Sequence, residues 1–276
     1  MKTRTLTALV LTLICVPILL LSEYVVYPLF ISLLSVVAIF EIMNCLGLLK
    51  KYALTVPAAA FAAAMPLVAF FLGNGNVVKT ALICFAVSFL LMIYFFTVAV
   101  FARGSIKFFY ISALLVLTIY VTLSFTALAA LRYIPAGVFT FVLVFIGAWS
   151  CDTFAYLFGS RFGKHKLIPE ISPKKTVEGS IAGVISATLI FAIYGLIIDL
   201  ATELSVNYIS LLASGLLISL ISQIGDLIAS LVKRECGIKD YGKIFPGHGG
   251  VMDRFDSILA VSGPFLLICL TFPPFS

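Results

Sequence analysis

The chain has 276 residues, of which 62% are hydrophobic and 11% charged, and its mean hydropathy is +1.20. Soluble domains carry about 25% charge and about 45–50% apolar residues, so a water-soluble globular domain is excluded, as are disordered and fibrous chains, which need far more polar or glycine-rich sequence. The excess of 18 Lys+Arg over 12 Asp+Glu does not imply nucleic-acid binding in so apolar a chain, because the tendency of cytoplasmic loops to collect Lys and Arg explains it more simply.

A bilayer crossing takes about 20 predominantly apolar residues. Apolar runs near 5–21, 24–42, 53–72, 77–101, 106–131, 134–158, 179–199, 208–231 and 255–272 predict an all-α polytopic integral membrane protein with about nine transmembrane helices. The first run follows Met1-Lys2-Thr3-Arg4, as a secretory leader would, but it is long and no A-x-A-like cleavage site follows, so it reads as a crossing. With the N-terminus cytoplasmic, sixteen basic residues fall on the inner side, from Lys2, Arg4, Lys50 and Lys51 to Lys243 and Arg254, and only Lys79 and Arg132 fall outside. That split supports the odd number of crossings and predicts an inner (cytoplasmic) membrane protein whose working loops face the cytoplasm. The six cysteines at 15, 45, 84, 151, 236 and 269 form no C-x-x-C pair and read as small buried hydrophobes rather than disulfides or zinc ligands.

Acidic residues are distributed unevenly: residues 1–148 contain only Glu23 and Glu41, and the other ten follow. Residues 1–133 therefore read as a scaffold of about five helices. Residues 134–276 read as the region that carries chemistry, with two long loops, 159–178 and 232–254, both basic and rich in Gly and Pro. The Ala-rich run 56–64 and Gly179-x-x-x-Gly183 read as close-packing helix faces.

An aspartate at mid-bilayer costs about 2.5–3.5 kcal/mol on insertion scales, so it needs a partner and usually marks function. Glu41 ends the second run near Lys50 and Lys51 and reads as structural; Asp152 lies within the sixth and Asp226 within the eighth. Gln223, Asp226, Ser230 and Lys233 are spaced i, i+3, i+7, i+10, which forms one polar stripe on a helix. Asp253 and Asp256, i and i+3 at the start of the last run, would repel each other unless a cation lay between them. Mg²⁺ takes one or two carboxylates and completes its shell with water and substrate phosphates, so Asp226, Asp253 and Asp256 are the expected metal ligands. Between them, Lys233, Arg234, Lys239, Lys243 and Arg254 surround Gly247-His248-Gly249-Gly250. Glycines let backbone N–H groups approach an anion, and the following helix start adds a positive dipole end. This is a polyphosphate cradle in physical terms. It is not a Walker A loop, since Gly159-Ser-Arg-Phe-Gly163-Lys164-His165 lacks both the spacing and the Ser/Thr. The loop with Lys174 and Lys175 reads as a second wall of the same anion site.

The run Ser230-Leu-Val-Lys233-Arg234, then Lys239-Asp240-Tyr-Gly242, then Phe245-Pro246-Gly-His248-Gly249-Gly250-Val-Met-Asp253-Arg254-Phe-Asp256 resembles the signature of the phosphatidate cytidylyltransferase (CDP-diacylglycerol synthase) family without departure over its 27 positions. With Gly-Ser-Arg-Phe-Gly-Lys-His and Ile-Ser-Pro-Lys-Lys-Thr-Val-Glu-Gly upstream, the resemblance covers roughly 149–256. It implies CTP plus phosphatidic acid giving CDP-diacylglycerol and pyrophosphate. It also implies a nine-helix fold embedded in membrane lipid, Mg²⁺ on Asp226 and Asp253, and a second, monovalent cation that nothing in the sequence shows. Under this resemblance Lys233, Arg234, Lys239 and Arg254 neutralise the triphosphate and leaving group. Asp240, His248, Gly249 and Gly250 line the nucleotide site, while Ser230, Lys174 and Lys175 serve the lipid substrate. A homodimer is left open. The alternatives are a CTP-dependent kinase of a polyprenol-type alcohol, which would release CDP, and a transporter, which would show paired broken helices in two repeated halves.

Overall fold

The computed structural model describes residues 13, 17–73, 77–102 and 104–276. The first expected crossing lies largely outside the described residues, as do Lys2, Arg4, Cys15 and Arg103. Among the described residues are eight long helices: α1 Val26–Cys45, α2 Tyr52–Gly73, α3 Val77–Phe101, α4 Phe108–Ala130, α5 Gly137–Phe162, α6 Val177–Ala201, α7 Tyr208–Glu235 and α8 Met252–Thr271. Each is long and apolar enough to cross a bilayer, and the chain is an all-α polytopic membrane protein. Helices are the expected solution, because every backbone N–H and C=O must find a partner inside lipid. Apolar runs locate these helices to within four residues.

One segment differs from expectation. Loop 159–178 is not irregular: α5 runs on to Phe162, and Lys166–Ile168 (β1) pairs antiparallel with Ser172–Thr176 (β2), Lys166 opposite Thr176 and Ile168 opposite Ser172. Thr176 then caps α6, its hydroxyl accepting from the Gly179 N–H at 3.2 Å. The hairpin thus ends in a cap that fixes where the next helix begins.

The structure divides into two compact units. The first comprises residues up to Tyr133 together with Cys236–Arg254, so the second long loop packs with the N-terminal helices. In α2 the buried residues Leu54, Ala58, Phe61, Ala62, Met65 and Ala69 recur every three or four positions, which is the close-packing face that the Ala-rich run predicts. The Tyr27 hydroxyl donates to the Leu128 carbonyl at 3.1 Å, tying α1 to α4. α1 closes in a Schellman motif: Leu48 N–H bonds Met43 O and Gly47 N–H bonds Asn44 O, with Gly47 at φ +69°. The sequence reading of all six cysteines as unpaired fails here, for Cys45 and Cys236 form a disulfide with Cα atoms 5.8 Å apart. They are 191 residues apart in the chain, so no local spacing could announce them. Cys84, Cys151 and Cys269 are buried and free, as expected.

The second unit comprises Ile134–Glu235 and Phe255–Ser276. Its α5 and α6 approach closely where Gly179 and Gly183 face Ala155, Gly159 and Cys151; a Cβ at Gly183 would lie 2.8 Å from the Cys151 carbonyl oxygen. The opposite face of α6 exposes Ile181, Ile185, Leu189, Ile193, Leu196 and Leu200, the stripe that lipid solvates. The two glycines therefore serve packing. Gly183→Leu is expected to force α5 and α6 apart and cost about 1–3 kcal/mol, read as a lower melting temperature in detergent; Ile185→Leu on the lipid face should leave it unchanged.

Candidate active site

Two cavities lined in part by charged side chains lie among the described residues, each within a single unit. The cavity of the second unit has a volume of about 600 Å³ and is lined by Asp152, Lys166, Lys174, Lys175, Gln223 and Asp226, among others. Secondary structure delivers each of them: α5 supplies Asp152, β1 Lys166, β2 Lys174 and Lys175, and α7 Gln223 and Asp226. Lys175 Nζ lies 2.5 Å from Asp226 Oδ2. Both side chains are about three-quarters shielded, so the pair forms in a medium where charges attract far more strongly than in water. Asp152 accepts from the Ser257 hydroxyl at 3.3 Å. The negative charges of Asp226 and Asp152 both act on Asp256, against the positive charge of Lys233.

The walls are braced by hydrogen bonds. Ser180 Oγ donates to Gln223 Oε1, and Gln223 Nε2 donates to the Ser180 carbonyl at 3.2 Å. Glu178, in the first turn of α6, accepts from the Lys164 N–H at 3.1 Å and the His165 N–H at 3.3 Å, and its Oε1 lies 2.6 Å from His165 Nδ1. Those bonds tie the entry of the hairpin to the helix that follows it, and so set where its lysines stand.

The cavity of the first unit, about 620 Å³, is lined by Lys239, Asp240, Lys243, His248, Gly249 and Arg254, among others. The chain folds back through two glycines in the left-handed region, Gly247 (φ +76°) and Gly249 (φ +87°), where a side chain would be strained. Phe245 N–H bonds the Gly249 carbonyl at 2.9 Å, and His248 N–H bonds the Phe245 carbonyl at 2.8 Å. His248 Nδ1 is buried with no hydrogen-bond partner among the described residues. Asp253 is 8% exposed; its Oδ2 accepts from Tyr241 N–H at 2.8 Å and Gly250 N–H at 3.0 Å.

The residues singled out from the sequence thus fall into two groups. Lys239, Asp240, His248, Gly249 and Arg254 line the first unit's cavity; Gly250 donates its N–H to Asp253 in the first turn of α8. Lys174, Lys175 and Asp226 line the second unit's cavity. Ser230, Lys233 and Arg234 lie on the last turns of α7 and line neither cavity. Asp256 sits in α8, within the electrostatic reach of Asp152 and Asp226. Sequence reasoning gave no firm role to Asp152, left Lys166 unassigned, and placed Glu41 beside surface lysines; Lys243, counted in the cradle, does line the first unit's cavity. The structure instead buries Glu41 and gives it the Val251 and Met252 N–H groups as partners, at 3.0 and 2.9 Å. The helix start after Gly250, whose first N–H groups lack acceptors within the helix, was the available signal.

Among the described residues no three His, Cys, Asp or Glu side chains converge closely enough to hold an ion unaided. The carboxylates present suit a hard cation that takes one or two of them and fills its shell with water and phosphate oxygens.

The cytidylyltransferase family model matches residues 2–272. The phosphatidate cytidylyltransferase of Staphylococcus epidermidis (strain ATCC 35984) is 36% identical over 277 aligned residues, covering 98% of this chain and 99% of that protein. The phosphatidate cytidylyltransferases of Staphylococcus haemolyticus and Staphylococcus aureus (strain COL) are 36% and 35% identical at the same coverage. With helices, polar cavities and end-to-end similarity in agreement, this chain belongs to the cytidylyltransferase family.

Proposed function

We propose that this chain is a phosphatidate cytidylyltransferase: it transfers the cytidylyl group of CTP to phosphatidic acid and releases CDP-diacylglycerol and pyrophosphate. Near-full-length similarity to enzymes of that name carries this reading, and two basic cavities within a membrane-spanning chain support it, since both reactants are phosphate anions and one is a lipid.

The lipid phosphate is already a nucleophile, so no covalent intermediate on the protein is needed. One of its oxygens attacks the α-phosphorus of CTP in line; the bond from that phosphorus to the oxygen bridging to the β-phosphorus breaks, and pyrophosphate leaves with those electrons. The protein positions the reactants and neutralises charge. Lys239, Lys243 and Arg254 face the triphosphate, Arg254 through its planar fork. His248 Nδ1 offers a donor to a phosphate oxygen when protonated there. Lys174, Lys175 and Lys166 take the phosphate of phosphatidic acid. Lys233 and Arg234, at the end of α7, add positive potential.

Asp226 and Asp253 are the carboxylates assigned to Mg²⁺, with Asp152 and Asp256 adding negative potential beside Asp226. A metal held by these carboxylates would supply charge neutralisation for phosphate oxygens. A second, monovalent cation and a homodimer have no support among the described residues. The concentration of Lys and Arg in the long loops supports a reaction on the cytoplasmic side of the inner membrane.

The coproduct separates this reading from a CTP-dependent lipid kinase, which no observation here favours. Purified protein given CTP labelled at the β- and γ-phosphates, phosphatidic acid and Mg²⁺ should release all the label as pyrophosphate. Release of CDP, or lipid flux without nucleotide turnover in proteoliposomes, would overturn it.

A further inference from the structure

Glu41 belongs to neither cavity, yet it holds the backbone on which one of them is built. It sits one turn before the end of α1, is 6% exposed, and spends both oxygens on one target: Oε1 accepts from Val251 N–H at 3.0 Å and Oε2 from Met252 N–H at 2.9 Å. These are the N–H groups of the residue just before α8 and of its first residue, which no carbonyl within the helix can satisfy. Gly242 and Gly250 pack so closely on the same carboxylate that a Cβ at either would overlap Oε1. The neighbouring donor, Gly250 N–H, goes to Asp253. Two carboxylates, one from α1 and one from the first turn of α8, thus consume the N–H groups of three successive residues at 250–252. Their mutual repulsion is offset by those donors and by the positive end of α8.

Four residues further along α1, on the same face, Cys45 is bonded to Cys236. The last turn of α1 therefore anchors segment 236–254 at both ends, by a disulfide at one and by Glu41 at the other. Everything that lines the first unit's cavity lies on the segment between or immediately beyond those anchors.

We propose that Glu41 is a positioning residue for the nucleotide: it touches no substrate, but it sets the conformation in which Lys239, Lys243, His248 and Arg254 converge on the triphosphate. This rests on the cytidylyltransferase reading. A glutamine at 41 keeps the volume but turns an N–H₂ toward one of the two backbone donors, so one of the paired bonds is lost. An aspartate keeps the charge and falls one methylene short.

The test uses the full-length protein in detergent, with CTP dissociation constants measured by equilibrium binding in Mg²⁺, alongside steady-state KM for both substrates and melting temperatures. Losing one hydrogen bond to a charged acceptor should weaken CTP binding about tenfold in Glu41→Gln, raise the KM for CTP in parallel, and leave the KM for phosphatidic acid within twofold. Glu41→Asp should fall between wild type and Glu41→Gln. A purely structural role would lower the melting temperature and the active fraction and leave both KM values unmoved; that result, or a CTP affinity within twofold of wild type, overturns the proposal. Should Glu41→Gln fail to fold, Glu41→Asp and Gly250→Ala, which presses on the same carboxylate, are read against the same criteria. Wild-type protein that binds CTP but forms no CDP-diacylglycerol would defeat the functional reading alone. Wild-type protein that does not bind CTP would defeat both.

Discussion

Asp226→Asn is expected to lower turnover by at least a factor of about 10²–10³, the usual cost of removing one preorganised charge from a reacting centre, while the protein still folds. The substitution is isosteric and removes only the negative charge. In the cavity, Asp226 lies 2.5 Å from the Lys175 ammonium and close enough to Asp256 to act on it, so its charge is central to that cluster. Under the proposed assignment it is also a magnesium carboxylate, and the variant should need a higher Mg²⁺ concentration for half-maximal activity. Activity as a function of Mg²⁺, beside a melting curve, checks both points. Wild-type turnover in Asp226→Asn would remove the metal assignment. Asp253→Asn should be as inactive for a further reason. Asp253 Oδ2 takes two backbone N–H groups, from Tyr241 and Gly250, and an amide nitrogen turned to that side would oppose both.

Lys175→Met is expected to raise the KM for phosphatidic acid about tenfold to a hundredfold, the range for a hydrogen bond to a charged group, with a smaller change in the KM for CTP. Methionine keeps most of the apolar stem and removes the ammonium. The loss also leaves Asp226 without its partner in a largely shielded site, where an uncompensated charge is costly, so lower stability should accompany the kinetic defect. A double-mutant cycle separates the two. If Lys175 and Asp226 act as one unit, the double variant should be less impaired than the product of the single effects. Multiplicative effects in the cycle would mean that the ion pair contributes nothing to function.

How far the sequence reaches is seen best at particular residues. The eight described helices were legible because lipid leaves the backbone few alternatives, and about 20 apolar residues in a row cannot be hidden. Gly179 and Gly183 were legible as a packing face because their spacing is local. The charged residues that line the cavities were legible as a set, since charge in so apolar a chain is conspicuous. Their partners were not. The spacing of Gln223, Asp226, Ser230 and Lys233 marks a helical stripe, but nothing in it says that Lys175 meets Asp226 from a strand 51 residues upstream. The strand itself was missed because β1 and β2 hold only three and five residues, too few for an alternating pattern to register.

By itself, then, the order of amino acids determined the membrane-spanning architecture and the family, because hydropathy and motif spacing are properties of contiguous residues. Only the tertiary structure decided that Cys45 joins Cys236, that Glu41 caps the helix beginning at Met252, and that segment 236–254 packs with the N-terminal helices. Those pairings span about two hundred residues. A backbone donor carries no side-chain label of the acceptor it will find, so such a partnership exists only once the chain has folded.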